Sequence, residues 1–189
     1  MLKPAHLYQD QIVRKMQETW YNEEYKYYYD QEPMIPDFPQ RPDGFRQFAS
    51  VDSDGNVIGY LSYRYNSSTS RCYNFGIISF DKGNYEFVKD VIQMINDIFI
   101  KFGMNSIEFM CFARNTSVLR SYRNFIKNYG GREVGTLRDC TKSFDNKLCD
   151  VVLFEVHRND LNYMKDNNGG CYIVSKARFL KYYSSLGGM

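Results

Sequence analysis

An asparagine and a tyrosine lie seven residues apart, just after a stretch whose pattern is typical of a buried strand. That strand is predicted over 106–112, a tight polar turn follows it, and a helix is predicted over 116–129. Asn115 lies where the strand has ended, and its side chain can cap the helix by accepting from the free amides of the first turn. Tyr122 comes two turns later on the same helical face. An amide and a phenol that point the same way indicate a small-molecule site.

The elements that must position this pair follow from hydrophobic spacing. In the clearest helix, apolar side chains recur at the helical period from Phe87 to Phe102, and a glycine ends the pattern. Asp54-Gly55-Asn56 is typical of a hairpin turn, and four prolines between positions 33 and 42 predict an irregular loop. The strands predicted besides 106–112 are 46–52, 57–65, 72–80, 133–140 and 148–157, and two further helices are predicted over 6–20 and 175–186.

The order of these elements predicts a mixed α/β (α+β) fold, in which helices cover a mostly antiparallel sheet of about six strands. The crossover from strand 72–80 through the long helix to strand 106–112 predicts locally parallel pairing. Residues 1–158 are expected to form this domain, with a helical N-terminal segment over 1–44. Residues 159–189 are expected to form a C-terminal extension with a helix.

Charge is nearly balanced overall but unevenly distributed. The net charge is +2, which argues against a nucleic-acid binder that relies on broad phosphate contacts. Seven acids lie between positions 18 and 43 against two bases, whereas twelve bases lie between 120 and 181 against seven acids. This asymmetry suits a cation at one end and an anion at the other, although a solvated surface of mixed sign explains it equally well.

Five cysteines and two histidines limit metal and redox chemistry. The cysteine count is odd and no two cysteines form a Cys-x-x-Cys pair, so we expect neither a metal site nor a disulfide framework. The sequence shows no signal peptide and no apolar run long enough to span a membrane. We therefore expect a reduced, cytoplasmic protein without membrane or nucleic-acid partners.

This order of elements resembles the GCN5-related N-acetyltransferase family over roughly residues 45–157. The likeness is strongest over 101–137, where the end of the long helix, the next strand and the Asn-to-Tyr spacing match the family pattern. Gly130–Gly135 also resembles the family's entry into its sixth strand, and the chain is similar to small members from firmicutes and their phages, which open with a Lys-Pro-Ala-His-Leu type of segment. The resemblance implies an acyl-CoA N-acyltransferase-like fold whose sheet splays between its fourth and fifth strands.

By this resemblance, the protein transfers an acetyl group from acetyl-CoA, its co-substrate, to a primary amine in a ternary complex. The backbone of the fourth strand, at Ile77 and Ile78, would bind the pantetheine arm, and Asn115 would hydrogen-bond to that arm. Tyr122 would be the general acid that protonates the leaving thiolate. A tyrosine that only packs the helix against the sheet is the alternative interpretation of Tyr122.

The phosphate loop departs from the family pattern. The family's loop is led by Gln or Arg and carries two small residues that let backbone amides approach the phosphates. Here Lys82, Gly83 and Asn84 are the candidate phosphate-binding residues, no Arg or Gln leads them, and Asp81 adds a charge of the same sign as the phosphates.

The general base must come from outside the fourth strand, because strand 72–80 contains no acid. Glu23 is the tentative base, directly or through water, and Glu18, Glu24 and His6 are alternatives. A solvated helix face is the simplest explanation of all four. Cys111 as an acyl-carrying nucleophile is disfavoured, because no His or Asp lies near it in sequence.

Two functions remain open. The leading hypothesis is an acetyl-CoA-dependent N-acetyltransferase in which the acidic, aromatic segment 18–43 forms a wall for a small-molecule or peptide amine and favours a cationic one. The alternative is a non-catalytic binding or interaction protein on the same fold, with a degraded pyrophosphate loop. The extension 159–189 could dock a partner or a second copy, which would make a homodimer.

Overall fold

The computed structural model of the protein describes residues 1–28, 35–38, 44–143 and 145–186. Its strands are β1 (Leu2–Pro4), β2 (Phe45–Val51), β3 (Val57–Asn66), β4 (Arg71–Ser79), β5 (Ser106–Phe112), β6 (Arg132–Lys142), β7 (Leu148–His157), β8 (Asn162–Lys165) and β9 (Cys171–Val174). Its α-helices are α1 (Gln9–Thr19), α2 (Tyr85–Ile100), α3 (Thr116–Asn128) and α4 (Lys176–Leu186), and short 3-10 helices cover Ala5–Tyr8, Glu23–Tyr25 and Arg158–Asp160.

Seven of the strands form one sheet in the order β1-β2-β3-β4-β5-β7-β6, and β8 and β9 form a separate hairpin. Neighbouring strands of the large sheet are antiparallel except β4 and β5, which are parallel. The predicted fold class, a mixed and mostly antiparallel sheet covered by helices, is therefore confirmed. The predicted number of about six strands is one too few for the large sheet.

Helices cover both faces of the sheet. α2 and α3 pack on one face, where the core includes Phe99 and Phe154. α1 packs on the other face, and Ile12 is fully buried there. Neighbouring residues of β4 alternate between the two cores, since Ile77 packs against the first and Ile78 lies in the second.

Gly59 on β3 lets α2 approach the sheet closely. A Cβ atom at this position would lie 2.1 Å from Phe87 Cε2 and 2.9 Å from the carbonyl oxygen of Ile78. No side chain fits at that distance, so the close approach requires glycine. Because Phe87 lies in the first turn of α2, this contact fixes where the helix begins relative to the end of β4.

The N-terminus differs from the sequence prediction. β1 was not predicted, because three residues are too few for an alternating pattern to show. Its start is held by the Met1 ammonium group, which lies 2.8 Å from Asp90 Oδ2, and the same oxygen accepts from the Ser50 hydroxyl at 2.7 Å. Where the sequence predicts one helix over 6–20, a 3-10 turn at Ala5–Tyr8 leads into α1.

The hairpin of β8 and β9 is a second feature that the sequence did not reveal. The Ile173 amide donates to Asn96 Oδ1 on α2 at 2.9 Å, and Leu161 and Ile173 are buried in the same core as α2. α4 follows the hairpin, and its Leu180 side chain is exposed. The hairpin thus shares the core of the sheet, whereas α4 lies beside β8 with Leu180 exposed.

Residues 29–34, 39–43, 144 and 187–189 lie outside the described part of the chain. Most of the predicted proline-rich loop falls there, and so do three acids of the predicted acidic wall, namely Asp30, Glu32 and Asp43. In the described ranges no helix is long and apolar enough to cross a membrane.

Candidate functional site

β4 and β5 are joined at one end only. Their register pairs are Arg71–Ser106 and Cys72–Ile107, and the described residues contain no other pair between them. From there β4 stays paired with β3, and β5 stays paired with β7, as far as their carboxyl ends. The two strands therefore part into a wedge that opens toward those ends, which is the separation that the family resemblance implies.

A β-bulge bends β4 where the wedge begins. Tyr73 lies opposite Arg64 and Gly76 lies opposite Ser62, so β4 holds one residue more than β3 between these pairs. Asn74 has a φ of +52°, a left-handed conformation that asparagine tolerates better than most residues. Because a bulge turns a strand and re-aims its backbone groups, the second half of β4 is positioned to present N–H and C=O groups to the wedge.

Ile77 and Ile78, the residues predicted to bind the pantetheine arm, use their side chains for packing. Ile77 is half-buried on the α2 face, and Ile78 is buried on the α1 face. They lie opposite Leu61 and Tyr60 of β3, and the other edge of β4 borders the wedge. Ile77 and Ile78 can therefore contact a ligand through their backbone groups on the edge that borders the wedge, and not through their side chains.

The loop 80–84 joins β4 to α2 at the open end of the wedge. Gly83 has a φ of +77°, and a Cβ atom there would meet nothing within 4 Å, so open space lies beside the loop. Asn84 caps α2 by accepting from the Glu86 amide at 2.9 Å, and its Nδ2 donates to Asp81 Oδ2 at 2.7 Å. The N-terminus of a helix beside open space favours the binding of an anion, whereas the negative charge of the Asp81 carboxylate repels it.

Lys82, the cation of this loop, contacts the N-terminal segment. Its Nζ lies 2.8 Å from Glu24 Oε1 and 5.7 Å from the centroid of the Tyr25 ring. The two charged side chains are 55% and 60% exposed, so the ion pair contributes at most about 1 kcal/mol to stability. From the sequence, Glu24 is only an alternative base, and no local pattern indicates this pair.

Residues 23–28, which we call the bridging segment, contact both sides of the wedge. On the β4 side, Tyr25 and Tyr28 pack against the core that contains Ile78. On the β5 side, the ring centroid of Tyr27 lies 5.9 Å from that of Phe112. The segment therefore lies across the open end of the wedge. The run of tyrosines was the signal in the sequence that could have pointed to this role.

The four candidate bases fall in different places. Glu23 begins the 3-10 helix of the bridging segment, pairs with Lys26 at 3.2 Å and is 87% exposed. Glu24 lies beside it, whereas Glu18 pairs with Lys15 within α1. His6 lies on the helical turn that packs against β2, and β3 separates β2 from β4. The structure thus brings Glu23 and Glu24 to the wedge and leaves His6 away from it.

Asn115 and Tyr122 lie on the β5 side of the wedge. The Asn115 side chain accepts from the Val118 amide at 3.2 Å, so it caps α3 as the sequence predicts. The Tyr122 ring meets the rings of Phe109 and Phe154 edge to face, with centroids 4.8 and 5.6 Å away. Burial raises the pKa of the Tyr122 phenol, so this group is protonated at neutral pH. Both the general-acid role and the packing role agree with this geometry.

Cys111 lies on β5 near Tyr122, and burial raises its pKa to about 11. A protonated, half-buried thiol is a poor nucleophile at neutral pH. This agrees with the expectation from the sequence that Cys111 is not an acyl-carrying nucleophile. All five cysteines are free. In the part of the chain that the structure describes, no three His, Cys, Asp or Glu side chains gather as metal ligands would.

Comparison with known proteins supports the fold. No protein-family model matches the sequence, and no curated protein matches it either. The spermidine N-acetyltransferase from Vibrio cholerae in complex with CoA and spermine is 15% identical, with a TM-score of 0.65 over 85% of this chain and 96% of that chain. The same enzyme in complex with manganese ions is 18% identical, with a TM-score of 0.60 over 84% of this chain and 92% of that chain. At these identities the likeness shows the fold alone, and it confirms an acyl-CoA N-acyltransferase-like architecture.

Proposed function

We propose that this protein is an N-acetyltransferase that moves an acetyl group from acetyl-CoA to a primary amine within a ternary complex. The observation that carries the proposal is the wedge between β4 and β5, which share only two register pairs. A fold shared with a spermidine N-acetyltransferase solved with CoA supports acetyl-CoA as the co-substrate.

The residues around the wedge fit the parts of this co-substrate. The pantetheine arm would lie along β4 at Ile77 and Ile78, where an extended amide chain can hydrogen-bond to a strand edge. Its phosphates would lie in the open space beside Gly83, close to the start of α2 and to Lys82. Asn115 would hydrogen-bond to the arm from the β5 side.

The transfer requires a base, an oxyanion site and an acid. The acceptor amine gives a proton to Glu23, directly or through water, and its nitrogen attacks the thioester carbonyl carbon. Backbone N–H groups of β4 would stabilise the negative charge that develops on the carbonyl oxygen. When the C–S bond breaks, Tyr122 donates its proton to the departing thiolate. Glu23 then releases its proton to solvent and the Tyr122 phenolate regains one, which restores both groups.

The acceptor would bind between the bridging segment and the wedge. Carboxylates at Glu23 and Glu24 favour a positively charged group, and the tyrosine rings beside them can contact a cation through their faces. A small amine that carries more than one positive charge fits this wall, and so does the basic end of a peptide. Spermine in the neighbour's structure is an amine of the first kind.

Thermal unfolding with acetyl-CoA, followed by an assay of thiol release, tests this function. A ligand at 100 times its Kd stabilises the folded state by about 2.7 kcal/mol, which corresponds to a rise in Tm of about 5–11 °C for a chain of this size. Tyr122→Phe is expected to keep this rise and to lower kcat by about 100-fold or more. Tyr129→Phe, at the residue that follows the end of α3, is the matched control with unchanged kcat. Full turnover by Tyr122→Phe would leave Tyr122 with the packing role alone.

A binding protein without transfer chemistry is the second candidate, and the loop 80–84 favours it. Asp81 brings a negative charge to the phosphate position, and Lys82 is already paired with Glu24. If this function is the true one, acetyl-CoA produces no shift in Tm and no amine releases a thiol from it.

A further inference from the structure

The ion pair between Glu24 and Lys82 joins the two halves of the proposed site. Glu24 belongs to the bridging segment, and Lys82 is the loop residue to which the proposed function assigns phosphate binding. Their charged atoms lie 2.8 Å apart, so the lysine proposed to bind phosphate already has a carboxylate partner.

Other charged groups nearby have partners of their own. Asp81 accepts from Asn84, and Glu23 pairs with Lys26. On α2, Lys89 pairs with Glu86 at 2.7 Å. Among these carboxylates, Glu24 is therefore the one that holds Lys82.

We propose that Glu24 and the phosphates of the acyl carrier compete for Lys82, so that phosphate binding releases the bridging segment from the loop 80–84. The inference rests on the proposed function, because that function places the phosphates at this loop. A phosphate and a carboxylate on the same ammonium group would lie within a few ångströms of each other, and like charges repel at that distance. Lys82 therefore binds either the phosphate or the Glu24 carboxylate strongly only when the other anion has moved away.

The competition also links the two substrates. A cationic acceptor that binds Glu24 draws the carboxylate away from Lys82 and leaves the lysine to the phosphates. Coupling between two binding sites is reciprocal, so the phosphate-bearing ligand in turn exposes Glu24 to the acceptor. Acceptor and acyl carrier are expected to favour each other's binding through this single pair.

Calorimetric titration of CoA tests the competition. Glu24→Gln removes the competing charge and is expected to tighten CoA binding by about 1.5- to 5-fold, the range that an exposed ion pair allows. Glu133→Gln removes the same charge from β6, where the carboxylate pairs with Arg123 at 2.8 Å, and is expected to leave the Kd of CoA unchanged. Pantetheine, which lacks the phosphates, should bind Glu24→Gln and the wild type equally.

The Lys82→Met background tests whether the tighter CoA binding of Glu24→Gln depends on Lys82. Lys82→Met is expected to weaken CoA binding, and adding Glu24→Gln to it should produce no gain, because the contested cation is gone. The competition is overturned if Glu24→Gln does not tighten CoA, if it tightens pantetheine equally, or if its gain persists in Lys82→Met. In each of those results CoA still binds and the proposed function stands. If CoA binds none of the variants, the proposed function fails and the competition fails with it.

Discussion

Replacing Gly59 with alanine tests how the sheet sets the position of α2. The new Cβ atom would lie 2.1 Å from Phe87 Cε2 and 2.9 Å from the Ile78 carbonyl oxygen, whereas carbon atoms in contact normally lie about 3.5–4.0 Å apart. The ring of Phe87 therefore has to move by about 1.5 Å or more to reach that range. Overpacking of this kind costs about 1–3 kcal/mol, which lowers Tm by about 2–12 °C in a chain of this length.

Urea and thermal unfolding measure this cost against a matched control. Gly76→Ala on the neighbouring strand would meet only the Ser62 hydroxyl oxygen, at 2.8 Å. That side chain can rotate away, so Gly76→Ala should stay within about 1 kcal/mol of the wild type. In a Phe87→Leu background, Gly59→Ala should lower the free energy of unfolding by a smaller amount. Part of the loss remains, because the new Cβ atom still lies close to the Ile78 carbonyl oxygen. An equal cost in both backgrounds, or no cost at all, would refute the role assigned to the ring.

Three further outcomes are expected from the same structure. At pH 8, iodoacetamide should modify the exposed Cys140 and Cys171 first in a mass-spectrometric time course, because a pKa of about 11 leaves only about one Cys111 thiol in a thousand ionised. Burial raises the pKa of Tyr60 to about 12, above its unfolded value, so its contribution to the free energy of unfolding is complete below about pH 10 and is lost as pH rises through 12. Urea titrations between pH 8 and 11 should show stability falling only at the alkaline end. Asn115→Ala removes the α3 cap and should lower stability by about 1 kcal/mol in thermal unfolding.

Features that depend on near neighbours in sequence could be predicted. In the hairpin turn at Asp54-Gly55-Asn56, the Asp52 carboxylate accepts from the amides of Asp54 and Asn56 at 2.9 and 2.8 Å. The Asn115 cap is local in the same way, and strand β5 has the predicted limits. Such interactions are encoded within a few residues, so residue type and spacing are sufficient to find them.

Features that depend on distant residues could not be predicted. β1 is defined by its pairing with β2 and by the contact between the Met1 ammonium group and Asp90. The Glu24–Lys82 pair also joins two segments that lie far apart in the chain. The sequence shows the acid and the lysine, but only the packing of the bridging segment on the sheet brings them together. The roles of Asn115, Tyr122 and Glu23 in catalysis stay predictions.

The short join between β4 and β5 has a consequence for how the protein unfolds. β1–β4 form a series of adjacent antiparallel strands, and β5, β7 and β6 form a ladder of their own, so each half keeps its backbone hydrogen bonds without the other. Side chains of α2 contact the core of both halves and tie them together. Such an arrangement favours two cooperative units that open separately, each with its own protection from amide exchange. A ligand seated between β4 and β5 supplies the bonds that this boundary lacks, and so would merge the two units into one.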